Sequence, residues 1–166
     1  MEIIVVGLGG KAVARVFSAL GAHAVYVAAV SAHTADDTYW EEVDLLYVMK
    51  GAVSDSVKEM MRLARVYGTF VLLCTEIGME EKIDNVDFLV LDSKNSDDVL
   101  MLNGVKVCMY PSARGVHVQS ARWNGTILMA GADKAEVAII VFVDQLLQGG
   151  NFETALQTAE NICTEN

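Results

Sequence analysis

Short apolar runs alternate with helical patterns along the first half of this chain, with glycines between them, and that alternation limits the folds open to it. Ile3 to Val6 is an apolar run closed by Gly7-Leu8-Gly9-Gly10. Lys11 to Leu20 places Val13, Val16, Phe17 and Leu20 on one helical face, and Gly21 follows as a C-terminal cap. Ala24 to Val30 predicts a second strand, and Thr34 to Glu42 a short polar helix or loop. Leu45 to Met49 predicts a third strand. Ser54 to Tyr67 predicts a helix with Val57, Met60, Met61 and Ala64 on its apolar face and Gly68 at its end. Phe70 to Cys74 and Phe88 to Leu91 complete the set of strands. Strands joined through helices by short turns form a parallel sheet covered on both faces.

The second half has a different pattern. Val99 to Leu102, Asn103-Gly104 and Val105 to Tyr110 predict a hairpin, and Val116 to Trp123, Asn124-Gly125 and Thr126 to Met129 predict another. Asn-Gly between apolar runs favours a turn with positive φ at both central residues. Two helices finish the chain. The first is expected to start at Asp133, with Glu136 completing a capping box, and to end at Gly149-Gly150. The second runs from Phe152 to about Cys163 with Asn151 as N-cap. Neither a repeat nor a linker interrupts the 166 residues, so one domain over 1–166 is expected.

Charge and cysteine content exclude some functions. Twelve Lys plus Arg against 22 Asp plus Glu give a net charge of −10. Such a surface repels phosphate backbones, so nucleic acid is not an expected partner. The apolar run Val137 to Val143 is too short to span a bilayer, and Met1-Glu2 leads straight into the apolar Ile3 to Val6 with no basic segment before that run, so a signal peptide is not expected. Cys74, Cys108 and Cys163 lie far apart, a pattern of reduced thiols that points to the cytoplasm. His23, His33 and His117 are scattered, without the clustering that zinc needs, and His117 is expected to face solvent.

Three segments could carry chemistry. Gly7-Leu8-Gly9-Gly10-Lys11-Ala12 follows a strand and opens a helix, as the G-x-G-x-x-A dinucleotide fingerprint does. A nicotinamide site would also want an acid after the second strand, and Ala28 to His33 contains none. A ligand-free turn explains the same glycines. Ala130-Gly131-Ala132-Asp133 joins a strand to a very apolar helix. Asp133 there either caps the helix or takes a proton beside N–H groups that hold developing negative charge. Asp92-Ser93-Lys94-Asn95 follows a strand and suits a hydrated magnesium ion, whereas Asp97 and Asp98 read as solvated charge.

In this order the segments resemble the ribokinase family, the PfkB-type carbohydrate and nucleoside kinases. Gly9-Gly10-Lys11 with Ala19-Leu20-Gly21-Ala22 resembles the family's G-G-K-x-x-N…A-x-L-G-A segment, with Ala14 in place of the asparagine. Val43 to Phe70 resembles the middle β-α-β unit, and Val86 to Asp92 the strand before N-x-x-E, here Asp92-x-x-Asn95. Val107 to Val116 resembles V-V-V-T-x-G-x-x-G, with Tyr110, Ser112 and Gly115 at the motif positions. Ala130 to Leu156 resembles G-A-G-D, its apolar helix and the L-L-x-G…A-L that follows. The β-rich lid of the longer family members has no counterpart between Val6 and Gly9 or after Thr34. Alanines replace the two glycines of G-A-G-D. If those positions need positive φ, each strains the loop by roughly 1 kcal/mol or more.

The resemblance implies a three-layer α/β/α ribokinase-like sandwich whose mainly parallel central sheet gains antiparallel hairpins near its C-terminal end. It implies transfer of the ATP γ-phosphoryl to a sugar or nucleoside hydroxyl. Asp133 would be the base, with Gly131 and Ala132 N–H groups on the phosphoryl. Gly9, Gly10 and Lys11 would hold the substrate, Tyr110, Ser112, Arg114 and Gly115 the nucleotide, and Asp92 and Asn95 Mg²⁺. Two other readings stand beside it. One is a catalytically inactive descendant kept as a nucleotide-binding or assembly module, since phosphoryl transfer needs water kept out. The other is an NAD(P) protein, supported by the glycine loop alone. The absent lid predicts apolar surface beside that loop and a two-fold homodimer.

Overall fold

The computed structural model describes residues 1–76, 84–92 and 104–165. Eight strands form one sheet: β1 (Glu2–Val6), β2 (His23–Val27), β3 (Leu45–Val48), β4 (Phe70–Thr75), β5 (Phe88–Leu91), β6 (Val107–Pro111), β7 (Gly115–Ser120) and β8 (Asn124–Leu128). Their order is β2-β1-β3-β4-β5-β6-β7-β8. The pairings from β2 to β6 are parallel, and β6–β7 and β7–β8 are antiparallel. Among the described residues the α-helices are α1 (Gly10–Ala19), α2 (Thr34–Asp37), α3 (Asp55–Val66), α4 (Ala135–Leu147) and α5 (Phe152–Cys163).

Alternation along the strands sorts two cores. Val5, Leu45, Tyr47, Leu72, Val107 and Met109 face one side, where α1, α4 and α5 bring Val13, Phe17, Phe142, Ala155 and Ala159. Val6, Leu46, Val48, Val71, Leu73 and Cys108 face the other, against Trp40 and the Val57, Met60, Met61 and Ala64 stripe of α3. The stripe read from the sequence is therefore the buried one. Helix α4 shows no such stripe because it is buried from Ala138 to Asp144. At the amino ends of the central strands, the Asp87 carboxylate is buried, accepts the Val71 N–H at 2.9 Å, and lies 3.4 Å from Lys106 and 3.6 Å from Arg65.

Asn151 caps α5 as expected, accepting the Thr154 N–H at 2.8 Å. Other expectations need correction. The last hairpin exists, but its turn is Ala121-Arg122: the Ser120 N–H donates to the Trp123 carbonyl at 2.8 Å. Asn124 and Gly125 lie inside β8, paired with Gln119 and Val118. Packing explains the shift. The Trp123 ring stacks on Phe152 at 5.0 Å and covers Gly125, where a Cβ would fall 2.5 Å from the indole. That glycine makes room for the tryptophan and does not turn the chain. Most of the hairpin at Asn103-Gly104 lies outside the described residues; β6, the strand it would feed, has β5 on one side and β7 on the other. The capping box at Asp133 is absent, because a 3-10 turn over Ala132–Lys134 precedes α4 and, among the described residues, no side chain caps either element. Among the described residues, no helix is long and apolar enough to cross a membrane.

Candidate functional site

The parallel strands all end at one edge of the sheet, where open α/β sheets bind ligands. Gly7 to Gly9 follow β1, Lys50 follows β3, Glu76 follows β4 and Asp92 follows β5. The β6–β7 turn, with Arg114, and the β8–α4 corner, with Asp133, open on the same edge, because β8 runs parallel to β6. At about 4.8 Å per strand, β1 and β6 stand roughly 19 Å apart, so the expected residues line a ledge along this edge.

The β1–α1 corner is tight. Gly7 (φ 109°) and Gly9 (φ 85°) are left-handed, and the Gly7 N–H donates to the Val27 carbonyl at 3.0 Å. A Cβ on Gly10 would lie 2.7 Å from the Val5 side chain, so this glycine lets α1 approach β1. Gly9 and Gly10 are thus explained by backbone and packing. Lys11 is exposed, and so is Leu8, at 83%. Ala14, in place of the family's asparagine, is buried under α1.

The residues proposed for the nucleotide divide by role. Tyr110 is buried in the core. Ser112 is committed to the turn: its N–H and hydroxyl both donate to the Gly115 carbonyl at 2.8 Å. A Cβ on Gly115 would sit 2.6 Å from the Ile127 carbonyl oxygen, so this glycine serves the β7–β8 pairing. Arg114 is left as the exposed guanidinium of the turn.

Asp92 faces Lys50, whose ammonium lies 3.7 Å from the Asp92 carboxylate and 3.5 Å from that of Glu76. Asn95 lies outside the described residues. Sequence reasoning missed Lys50 and Glu76. The available signal was a charged residue close after each of these parallel strands.

At the β8–α4 corner Gly131 is extended (φ −166°), and Ala132 and Asp133 lie in the 3-10 turn. Neither alanine has positive φ, so the expected loop strain is absent. The Asp133 carboxylate makes no capping hydrogen bond and leans back over Gly131: a Cβ there would lie 2.8 Å from its Oδ1. Asp133 is exposed. Glu136, in the first turn of α4, belongs to a cluster that the sequence did not reveal. The Cys74 thiol donates to the Tyr47 hydroxyl at 3.9 Å, and the Glu136 charge acts on both. Burial pushes the Cys74 thiol up to about 12 and the Tyr47 phenol well above its ordinary value, so both stay protonated. Partial burial also raises the Glu136 carboxyl. Among the described residues no hydrogen bond or ion pair links Gly9, Arg114 and Asp133.

No family model matches the sequence, and no curated protein matches it. Solved structures do match. Sa239 superposes with a TM-score of 0.70 at 10% identity, over 99% of this chain and 94% of that one. A phosphomethylpyrimidine kinase from Clostridium difficile 630 gives 0.67 at 10% identity, over 97% of each chain. Arabidopsis thaliana ribokinase complexed with ribose and ATP gives 0.55 at 11% identity, over 75% of this chain and 50% of that one. At these identities the likeness is one of structure, and together with the strand order and the hairpins it shows that this chain has the ribokinase-like α/β fold.

Proposed function

We propose that the protein is a phosphotransferase that moves the γ-phosphoryl of ATP to a hydroxyl of a small sugar-like or nucleoside-like acceptor. One observation carries this reading: the Asp133 carboxylate stands exposed where α4 begins, with no capping hydrogen bond to account for it. Capping is the ordinary role of an aspartate at this position, and among the described residues Asp133 makes no such bond, which favours the other role. The neighbours solved as kinases, one of them with ribose and ATP, support the substrate class.

In this mechanism the acceptor oxygen attacks the γ-phosphorus, the bond to the bridging oxygen of ADP breaks, and Asp133 takes the hydroxyl proton. In this reading the Gly131 and Ala132 N–H groups at the helix start would hold the phosphoryl oxygens, and the exposed Arg114 would steady the nucleotide phosphates. Asp92 and Glu76 offer hard carboxylate oxygens, and with the Lys50 ammonium turned away from them they would hold a phosphate-borne Mg²⁺. When bound, Mg²⁺ would neutralise charge on the β- and γ-oxygens. A two-fold homodimer that covers the exposed Leu8 beside the first corner belongs to this reading. Light scattering that shows monomer well above micromolar concentration would remove that part.

The test is ATP turnover by wild type and Asp133→Asn with a panel of sugars and nucleosides. The substitution should lower transfer about 10²–10⁴-fold, the usual share of a general base. A wild type that transfers to none of them, or a variant that keeps its rate, overturns the reading.

A further inference from the structure

We infer that the crevice at the carboxyl ends of β1, β2 and β3 binds a small anionic ligand, a phosphate ester or carboxylate with an apolar flank, and that Lys50 selects for its charge. The position follows from the topology. The chain leaves β1 through α1 to reach β2 on one side, then returns to β3 on the other. Helices α1 and α3 pack on opposite faces, so the loops after β1 and β3 diverge. Such switch points are where open α/β sheets leave room for a ligand.

The room is present. A crevice of about 310 Å³ lies between Gly7-Leu8, Ala28 to Val30 and Lys50 to Ala52, and reaches Val57 of α3. That volume is at the small end of ligand pockets, about 300–1,000 Å³. Its walls are mostly Val, Leu, Ala and Gly, and among the described residues Lys50 is the single charged lining side chain. The other polar one, Ser54, is occupied: its hydroxyl accepts the Val57 N–H at 3.2 Å. Glu76 and Asp92 keep the Lys50 ammonium at the strand edge, but at 3.5 and 3.7 Å they are too far for the short bonds of a committed ion pair. With its side chain half exposed, the ammonium can turn to an anion in the crevice. In a chain of net charge −10, such a local cation offsets part of the repulsion that an acidic ligand meets.

The inference rests on the proposed function only in making this ligand the phosphoryl acceptor; binding itself needs no ATP. The test is an NMR titration of the full, isotope-labelled chain at constant ionic strength with glycerol phosphate, glycerol, inorganic phosphate and butyrate. Glycerol phosphate should give saturable shifts at Gly7, Leu8, Gly51 and Ala52, and glycerol none at the same concentration. Inorganic phosphate and butyrate report which anion class the crevice prefers, and saturation by either supports the inference. Lys50→Met should weaken binding by about tenfold or more, as loss of a charged hydrogen bond does, and Lys50→Arg should largely keep it. Equal binding of glycerol, an unchanged Lys50→Met, shifts confined to other surfaces, or no saturation by any anion overturns the inference. Lys50-dependent binding without phosphoryl transfer would remove the kinase reading alone. Asp133-dependent transfer to neutral sugars with no anion binding would remove this one alone.

Discussion

Two strand-to-helix corners lie on the same edge of the sheet, and their glycines answer to different constraints. At the β1–α1 corner the backbone itself demands glycine: Gly7 and Gly9 are left-handed, and Gly10 has Val5 against it. At the β8–α4 corner the backbone is extended and then helical, as any residue allows. Gly131 has something else beside it, the Asp133 carboxylate. The more glycine-rich corner is thus explained by folding alone. The corner with a single glycine, Gly131 between Ala130 and Ala132, carries an exposed acid with no capping hydrogen bond among the described residues.

The largest separation between the corners should come from Asp133→Asn. Its effect falls on turnover, about 10²–10⁴-fold, while the denaturant midpoint should barely move, because surface changes of this kind cost within about 0.5 kcal/mol. A large loss of stability would show that Asp133 is structural after all. Gly7→Ala should do the reverse. It forces a left-handed φ on alanine and brings a Cβ to 2.6 Å from that of Ala52. Urea unfolding should show a loss of about 2–4 kcal/mol from the two effects together. Gly131→Ala sharpens the contrast. Its φ suits alanine, and the atom it meets is the movable end of Asp133. Stability should fall by less than about 1 kcal/mol. Displacing the carboxylate should cost turnover about tenfold or more, as misplacement of reacting groups does.

The smallest effect is electrostatic and belongs to the second corner. Glu136 has its carboxyl raised by burial, so the folded state keeps a proton at a pH where the unfolded chain has released it. Stability therefore falls as pH rises from the ordinary glutamate value through the raised one, then levels off. Glu136→Gln should be more stable than wild type near neutral pH, with the gain vanishing in acid. Solvent screening at this partly exposed site limits it to a few tenths of a kcal/mol. Thermal melts at several pH values would read it, and a gain that grows in acid would reverse the assignment.

The sequence by itself determined the alternation of strands and helices through β5, the buried stripe of α3 and the Asn151 cap, because periodicity and capping are local properties of a few residues. It also marked Asp92 and Asp133 by their places after strands. Only the tertiary structure decided what those residues meet. Lys50, Glu76 and Asp92 come from three separate strand ends, and their meeting depends on strand order, which no local pattern encodes. The same holds for the last hairpin. Local turn preference favours Asn124-Gly125, but stacking of Trp123 on Phe152, a partner 29 residues away, moves the turn to Ala121-Arg122. The Asp133 cap, favoured by its spacing, gives way because a 3-10 turn aims that side chain back over Gly131. Where a long-range contact outweighs a turn or cap preference of about 1 kcal/mol, the packed core decides.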